Sequence, residues 1–268
     1  EMNNLNFLVD VLKESPVFKT LEKNVKPGRT VCASGLSTIN KSNIIYALCH
    51  LKGVTAFCLA SDEKEAQTLC NDLSCMGLRA YVYPVRDFNF LDFQSRSHEY
   101  EHARLKVLLK LINHECDVAI ACVDAAAQLT VPKNVLEQSV IEFEEGRELS
   151  LEKATKALTL LGYERFDAVE GSGQFSLRGG ILDFFMPDSD YPVRCEFWGD
   201  EITDLSYFDI ETQRRFKKAD KITLSPSTEI VIEDRAALAD KIEHKAKLLR
   251  SKNSAKAKEK LFSEAELI

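Results

Sequence analysis

The segment from Gly35 to Ser42 contains residue types that bind phosphate in other proteins. It reads Gly-Leu-Ser-Thr-Ile-Asn-Lys-Ser. In the phosphate-binding loop Gly-x4-Gly-Lys-Ser/Thr, backbone N–H groups surround the phosphates, the lysine reaches them and the hydroxyl binds Mg²⁺. Gly35, Lys41 and Ser42 occupy the first glycine, the lysine and the hydroxyl positions of this motif. The segment therefore has several of the groups that a nucleotide site needs.

The second glycine of that motif is missing, because Asn40 stands in its place. Phosphate binding needs glycine-like backbone dihedrals and a close approach of the backbone, and the side chains of Thr38, Ile39 and Asn40 add bulk there. Asn tolerates a positive φ, so two interpretations stay open. One is a competent nucleotide site. The other, which we favour, is a structural turn between a strand and a helix.

The acidic half of an ATPase site is also missing. Asp124 follows the predicted apolar strand Val118–Val123, where an Asp-Glu pair would hold Mg²⁺, but Ala125 comes next. We interpret Asp124 as the N-cap of the following helix. The sequence has no Gly-x-Ser-x-Gly, no His-Glu-x-x-His and no cysteine–histidine nucleophile pattern. We therefore expect no catalytic residues, and we do not expect this chain to be an enzyme.

Cysteines and histidines do not have the spacing of a metal site. The eight cysteines include no Cys-x2-Cys pair, and several, such as Cys32 and Cys122, lie in apolar stretches as reduced buried thiols do. His98 and His102 are four residues apart, which suits either two ligands on one helix turn or a solvated helix face. We favour the solvated face and predict no metal site.

The strand-like segment Val193–Trp198 contains the only tryptophan of the chain. Its period-two alternation places Arg194, Glu196 and Trp198 on one face, opposite the apolar Phe197. Tryptophan and arginine are enriched in interface hot spots. An outward Trp-Arg pair suits a partner surface and equally suits a contact between domains of a longer chain. Both interpretations stay open from the residues alone.

A second aromatic-rich stretch, Tyr81–Phe93, has Arg86 and Arg96 within or near it. Aromatic and arginine side chains stack on nucleic-acid bases, or they pack in a core. We favour core packing because acidic residues dilute the positive charge of the stretch: Asp87, Asp92 and Glu99.

The elements that must position these residues follow two different patterns. Up to about residue 130, short apolar segments alternate with helical periodicity, which predicts parallel strands joined by crossover helices. The predicted strands are Thr30–Ser34, Val54–Ala60, Ala80–Pro84 and Val118–Val123. The predicted helices are Lys41–Leu51, Glu63–Met76 and Glu99–Asn113.

After Pro132 the pattern is that of an α+β unit with an antiparallel sheet. A capped helix runs from Ser150 to Leu161, and strands are predicted at Gln174–Arg178, Gly180–Phe185, Val193–Trp198 and Glu201–Tyr207. The lysine- and alanine-rich run Lys241–Lys260 has few large apolar positions. We expect it to be a helix whose packing partner lies elsewhere, which would make this chain a fragment.

Length and composition agree with a folded chain of two domains, or of one domain with an insertion, since it has 268 residues and 45% hydrophobic residues. The net charge of −7 is the wrong sign for a protein that mainly neutralises nucleic-acid phosphates. No apolar run approaches the roughly 18–20 residues of a membrane-spanning helix, and the first residues lack signal-peptide features. We expect a cytoplasmic location.

Four segments closely resemble the N-terminal module of the bacterial transcription-repair coupling factor family. They are Leu161–Arg165, Gly173–Phe185, Tyr191–Ile202 and Phe208–Arg214, a dense match over about 55 residues. Weaker similarity extends upstream through Gly35-Leu36-Ser37, Tyr83-Pro84 and Arg104-Leu105.

This resemblance implies an architecture similar to that of the excision-repair protein UvrB. Residues 1–132 would form domain 1a, a degenerate P-loop, RecA-like parallel-sheet domain. Residues 133–225 would form domain 2, an α+β antiparallel domain, and residues 226–268 would begin a truncated domain 1b. The phosphate loop of domain 1a in this family is degenerate and does not hydrolyse ATP.

The resemblance also implies a function. Domain 2 resembles the UvrB surface that recruits the damage sensor UvrA, and the corresponding binding residues are Arg178, Arg194 and Trp198. The family more often has Phe at the position of Trp198. The chain would be a non-catalytic adaptor that links UvrA to stalled RNA polymerase.

ATP and Mg²⁺, RNA polymerase and double-stranded DNA would be bound by other domains of the parent protein, and no cofactor is implied for this chain. Two alternatives are an ATP-using, UvrB-like excision-repair helicase module and a simple DNA-binding module.

Overall fold

The computed structural model describes residues 6–86, 98–138, 141–229 and 235–248, together with residues 258, 261 and 262. The first part of the chain forms a three-stranded parallel sheet in the order β1-β3-β2. Its strands are β1 (Ala56–Ala60), β2 (Ala80–Tyr83) and β3 (Val118–Cys122). The surrounding helices are α1 (Asn6–Glu14), α2 (Pro16–Asn24), α3 (Thr38–Lys52), α4 (Glu63–Cys75), α5 (Glu99–Ile112), α6 (Val123–Ala126) and α7 (Lys133–Gln138).

The central strand β3 is buried along its whole length, as expected for a parallel strand covered on both faces. Val118 and Ile120 pack with residues of α1 to α4, whereas Ala119 and Ala121 pack with α5 and α6. The helix signals read from the sequence are confirmed at two places. The Asp62 side chain caps α4 by accepting from the Glu65 N–H at 2.8 Å, and Gly53 ends α3 with φ 59°.

The prediction of a strand at Thr30–Ser34 is wrong. Residues 29–34 have no helix or strand, and only Val31 among residues 30–34 is even half-buried. A strand needs a neighbouring edge and a side of apolar side chains to bury, and this segment offers one valine among small and polar residues. Cys32 is consequently an exposed thiol, although the sequence suggested a buried one.

The second part of the chain forms a six-stranded sheet in the order β10-β9-β8-β7-β6-β5, and β11 pairs separately with β4. All neighbours in the larger sheet are antiparallel except β5 and β6, which are parallel. Helix α8 (Leu151–Leu160) is capped by the Ser150 hydroxyl, as predicted. The strands are β4 (Ile141–Glu144), β5 (Glu164–Arg165), β6 (Gln174–Arg178), β7 (Ile181–Phe184), β8 (Val193–Trp198), β9 (Glu201–Phe208), β10 (Arg215–Lys218) and β11 (Lys221–Leu224).

One face of the six-stranded sheet is apolar and packs against α8 and the β4–β11 pair. Phe143 of β4 and Phe184 of β7 are fully buried with their ring centroids 4.9 Å apart. Leu158 of α8 and Leu205 of β9 are fully buried in the same core. The opposite face of the sheet therefore carries the polar side chains of these strands.

Residues 225–229, which we call the junction segment, contact both parts of the chain. The Tyr163 hydroxyl donates to the Ser225 carbonyl at 2.7 Å, and the Ser227 N–H donates to the Leu161 carbonyl at 2.8 Å. Two glycines allow this close approach. A Cβ on Gly162 would lie 2.5 Å from Thr228 Cγ2, and one on Gly173 would lie 2.5 Å from Ser227 Oγ.

A buried ion pair holds the other side of the junction segment against α5. Arg104 Nε donates to Glu229 Oε1 at 2.5 Å, and the two side chains are 0% and 1% exposed. The Glu101 carboxylate accepts from the Glu229 N–H at 2.7 Å and from the Thr228 hydroxyl at 2.9 Å. The junction segment thus forms hydrogen bonds both with the second part of the chain and with α5 of the first part. The domain boundaries themselves stay predictions.

Helix α9 (Arg235–Leu248) covers the first part of the predicted polar helix Lys241–Lys260, whose remainder lies mostly outside the described residues. Its Ala246 is fully buried. Among the helices that the structure describes, none is long and apolar enough to cross a membrane.

Candidate functional site

The polar face of the six-stranded sheet is the candidate site. In β8, Cys195 and Phe197 are buried, whereas Arg194 and Trp198 lie on the opposite face. This confirms the alternation read from the sequence. The Trp198 side chain is 82% exposed, which is far more than its size and apolar ring would favour in a protein interior.

At the centre of the polar face lies Asp183 of β7, which is paired in register with Arg194. Its side chain is 1% exposed. Arg194 donates from Nε to Asp183 Oδ1 at 2.7 Å and from Nη2 to Oδ2 at 2.8 Å. Arg178 donates from Nη2 to the same Oδ2 at 2.8 Å. One buried carboxylate therefore binds both arginines that the sequence singled out.

Arg194 is not an exposed side chain, which corrects the sequence-based expectation. Its side chain is 12% exposed, and its guanidinium lies 4.3 Å above the centre of the Phe208 ring. It also donates to the Gln213 carbonyl at 3.2 Å and to Gln213 Oε1 at 3.0 Å. The hydrogen bonds to Asp183 raise the pKa of the guanidinium. The long-range partners Asp183 and Gln213 cover this arginine, and strand alternation alone does not reveal them.

Arg178 is the more accessible arginine, with a side chain 52% exposed. It ends β6, just before the turn at Gly179 and Gly180. Gly179 has φ 60°, and a Cβ on Gly180 would lie 2.7 Å from the carbonyl oxygen of Phe197, so this turn fits tightly against β8. Arg178 and Trp198 consequently lie at the same end of the sheet.

The other side of the polar face is neutralised by ion pairs. Arg215 of β10 pairs with Glu196 of β8 and with Asp204 of β9, the latter at 3.0 Å. The sequence reasoning missed Asp183 and Arg215. The signal for Asp183 was an acidic residue inside the otherwise apolar strand Ile181–Phe184, since a buried carboxylate needs cationic partners.

The phosphate-loop remnant has a different arrangement. Gly35 has φ 77°, and α3 begins at Thr38 after the N-cap Ser37. Lys41 Nζ donates to Glu65 Oε1 at 2.7 Å. The hydrogen bond from Lys41, followed by those from Ser61, lowers the pKa of Glu65 to about 2. The charge of the loop lysine is thus paired with a carboxylate of α4.

Ser42 is fully buried and donates from its hydroxyl to Asp72 Oδ2 at 2.9 Å. Asn40 is exposed and lines a cavity of about 990 Å³ between α1, α2 and residues 29–36, whose lining does not include Lys41 or Ser42. Asp124 lies in the first turn of α6, but the N-cap of that helix is Cys122, which corrects the predicted role of Asp124.

The predicted solvated face of His98 and His102 is wrong for His102. Its Nε2 lies 3.1 Å from the Ser227 hydroxyl of the junction segment, and burial lowers its pKa, with the nearby His98 acting in the same direction. The two imidazole rings are stacked with centroids 5.9 Å apart. Within the described residues, no three His, Cys, Asp or Glu side chains are placed to hold a metal ion.

The expected core packing of the second aromatic stretch is confirmed for Tyr83, which is buried with the Arg104 guanidinium 4.2 Å above its ring centre. Arg86 pairs with Glu229 at 3.6 Å. The rest of the stretch, from Asp87 to Phe93, and Arg96 lie outside the described residues.

Comparison with known proteins agrees with the resemblance seen in the motif residues. Residues 141–230 match the UvrB interaction domain family, and this segment contains the whole polar face. The chain is 28% identical over 237 residues to the transcription-repair-coupling factor of Bacillus subtilis (strain 168), covering 87% of this chain and 20% of that protein. It is 24% identical over 230 residues to the transcription-repair-coupling factor of Staphylococcus aureus (strain USA300), covering 85% and 20%.

A further relative, the transcription-repair-coupling factor of Staphylococcus haemolyticus (strain JCSC1435), is 28% identical over 154 residues, which cover 58% of this chain and 13% of that protein. The chain thus spans about a fifth of the length of the curated relatives that it matches over most of its own length. The resemblance to transcription-repair-coupling factors and to the UvrB interaction domain is confirmed.

Proposed function

We propose that this chain, which is similar over most of its length to transcription-repair-coupling factors, is a non-catalytic adaptor that recruits UvrA. The observation that supports this proposal most directly is the exposed Trp198 at the same end of the sheet as Arg178, inside the segment that matches the UvrB interaction domain. In the parent protein, this recruitment would bring UvrA to a stalled RNA polymerase.

The chemistry of this surface suits a protein partner. An exposed Trp side chain fills an apolar pocket with a large contact area at low conformational cost, and Arg forms charge-assisted bonds with a partner carboxylate. Such residue types dominate the binding energy of many interfaces. The neighbouring Arg215, Glu196 and Asp204 pair with one another, which leaves Trp198 and Arg178 as the prominent groups.

The proposal assigns no catalysis and no nucleotide to this chain. Lys41 and Ser42 bind Glu65 and Asp72 rather than facing an open phosphate site, which favours the adaptor over an ATP-using helicase module. The net charge of −7 argues against a simple DNA-binding module. ATP-driven movement on double-stranded DNA and RNA polymerase binding would then belong to regions of the parent that this chain lacks.

The test is a titration of purified chain with purified UvrA by calorimetry. We expect saturable binding that Trp198→Ala weakens by roughly thirty-fold or more, equivalent to about 2 kcal/mol. Phe57→Ala is the matched control, because Phe57 is a 60% exposed aromatic residue of β1, which belongs to the other sheet. No binding by the unaltered chain, or equal weakening by Phe57→Ala, would contradict the proposal.

A further inference from the structure

The carboxylate of Asp183 is the least expected group on the polar face. It lies in β7 between Leu182 and Phe184, both fully buried, and its own side chain is 1% exposed. A buried ionised carboxylate is costly unless cations and hydrogen bonds compensate it. Its presence in an otherwise apolar strand calls for a role that an apolar residue would not fill.

The two oxygens of Asp183 are used unequally. Arg194 binds both in a fork, Nε to Oδ1 at 2.7 Å and Nη2 to Oδ2 at 2.8 Å, which fixes the plane of the carboxylate. Oδ2 accepts a second bond from Arg178 Nη2 at 2.8 Å. The orientation of the Arg178 guanidinium is thus tied, through Asp183, to the largely buried Arg194.

The two arginines differ in what remains available to a partner. Arg194 is 12% exposed and also binds the carbonyl and side chain of Gln213. Arg178 is 52% exposed and has no partner other than Asp183 among the described residues. This half-exposed side chain lies at the end of the sheet where Trp198 lies.

We propose that Asp183 is a positioning residue for the partner surface. It holds the Arg178 guanidinium in the orientation that meets a partner carboxylate, and Arg194 acts through Asp183 rather than by touching the partner. Holding a long side chain in its bound orientation removes part of the entropy cost of association. This inference rests on the proposed function, and it deepens it by assigning separate roles to the two arginines.

The inference also describes the complementary surface on the partner. A carboxylate there must reach Arg178, and an apolar pocket for Trp198 must lie next to it. Because four of the five N–H groups of Arg194 already donate to Asp183 and Gln213, the partner needs no second acidic group opposite it.

A double-mutant cycle on UvrA binding tests the coupling. Asp183→Asn keeps the size of the side chain and one acceptor oxygen for Arg194. We expect it to weaken UvrA binding about tenfold alone, and less than twofold further in an Arg178→Gln background, because only an ordered Arg178 benefits from Asp183. Equal weakening in both backgrounds would mean that Asp183 only supports the fold, and would overturn the inference.

A measurement on the free, unaltered chain needs no UvrA. In ¹⁵N NMR of arginine side chains, Arg178 should show restricted guanidinium motion that Asp183→Asn abolishes. Arg165 is the matched control, since it is exposed and has no ion pair within the described residues. If Arg178 is as mobile as Arg165, the inference is wrong. If Arg178 is ordered but the chain does not bind UvrA, the proposed function fails while the ordering of Arg178 by Asp183 stands.

Discussion

Two regions of this molecule contain residue types associated with binding, and they use them in opposite ways. In the phosphate-loop remnant, Lys41 pairs with Glu65 and the buried Ser42 binds Asp72. On the polar face, Trp198 is 82% exposed and Arg178 keeps about half of its surface in solvent. Residue types suggest binding in both regions. The regions differ because Lys41 and Ser42 already have partners within the chain, whereas Trp198 and Arg178 stay exposed.

The energetic reason for this difference is the state of each group before any ligand arrives. A phosphate would have to take Lys41 away from a carboxylate whose pKa is lowered to about 2 mainly by that hydrogen bond. A partner of the polar face would cover the Trp198 side chain, which is 82% exposed, and would thereby remove apolar surface from water. The capacity to bind a ligand therefore depends on whether a new contact lowers the free energy of a group more than its existing contacts do.

The largest expected effect is on stability, and it tests whether the apolar and polar faces of β8 differ. Phe197 lies next to Trp198 in β8, but on the apolar face, where it is 8% exposed. We expect Phe197→Ala to lower the free energy of unfolding by about 3–5 kcal/mol, because it leaves a cavity in the core. Urea denaturation measures this. A loss below about 1 kcal/mol would show that the two faces of β8 are not distinct.

The neighbouring substitution should do the reverse. Trp198→Ala removes an exposed side chain, so we expect the free energy of unfolding to change by no more than about 0.5 kcal/mol, while UvrA binding loses about 2–4 kcal/mol. Thermal denaturation and calorimetry give the paired result. A large fall in melting temperature together with lost binding would assign Trp198 to the core.

Arg194→Ala distinguishes a buried arginine from an exposed one. Removing its guanidinium leaves the buried Asp183 with Arg178 alone, so we expect a loss of about 2–3 kcal/mol of stability, somewhat below the roughly 3–5 typical of a broken buried pair. Arg165→Ala is the exposed control and should be nearly neutral. Unchanged stability of Arg194→Ala would restore the simple interpretation of three exposed binding residues.

The junction segment extends the comparison to a titratable group, His102, which lies against Ser227. Burial lowers the pKa of His102 in the folded chain, and His98 lowers it further, against the opposing effects of Glu101, Ser227 and Glu164. A lowered folded-state pKa means that His102 contributes its full stabilisation above its unfolded pKa of about 6.5. This contribution falls as the pH drops from 6.5 toward the folded-state value.

We therefore expect His102→Gln to flatten the pH dependence of stability between pH 7.5 and 5.5. Urea midpoints at the two pH values measure the effect, and His50→Gln serves as the control because His50 is exposed and is not among the groups that shift the pKa of His102. A variant with the same loss of stability on acidification as the unaltered chain would show that His102 does not contribute to this dependence.

Local patterns predicted the features that depend on neighbours in sequence. The alternation of β8, the caps of α4 and α8 and the glycine that ends α3 were all visible because strand and helix periodicity are local. The wrong strand at residues 30–34 shows the limit of this reasoning, since a strand also needs an edge to pair with.

Features that depend on distant residues were not visible. The burial of Arg194 is set by Asp183, 11 residues away, and by Gln213, 19 residues away. The ion pair of Arg104 and Glu229 joins residues 125 positions apart. No periodicity encodes such pairs, so the sequence indicated the polar face but not which of its arginines is free to bind.

The smallest expected effect concerns nucleotide binding by the phosphate-loop remnant. We expect no binding of Mg-ATP with a dissociation constant below roughly 10 μM, about −7 kcal/mol, either by the unaltered chain or by Lys41→Ala. Lys41 is held by Glu65, and the bulk of Thr38, Ile39 and Asn40 remains whether or not the lysine is present. Since Lys41 is 44% exposed, its removal should cost at most about 1 kcal/mol of stability.

Glu65→Gln makes this test sharper, because it weakens the hold on Lys41 without changing the loop. If the bulk of the loop is what prevents binding, calorimetry should show no ATP binding by this variant either. Binding that appears in Glu65→Gln would mean that the ion pair alone blocks the site. Micromolar binding by the unaltered chain that Lys41→Ala abolishes would make the remnant a working nucleotide site, and the contrast with the polar face would then disappear.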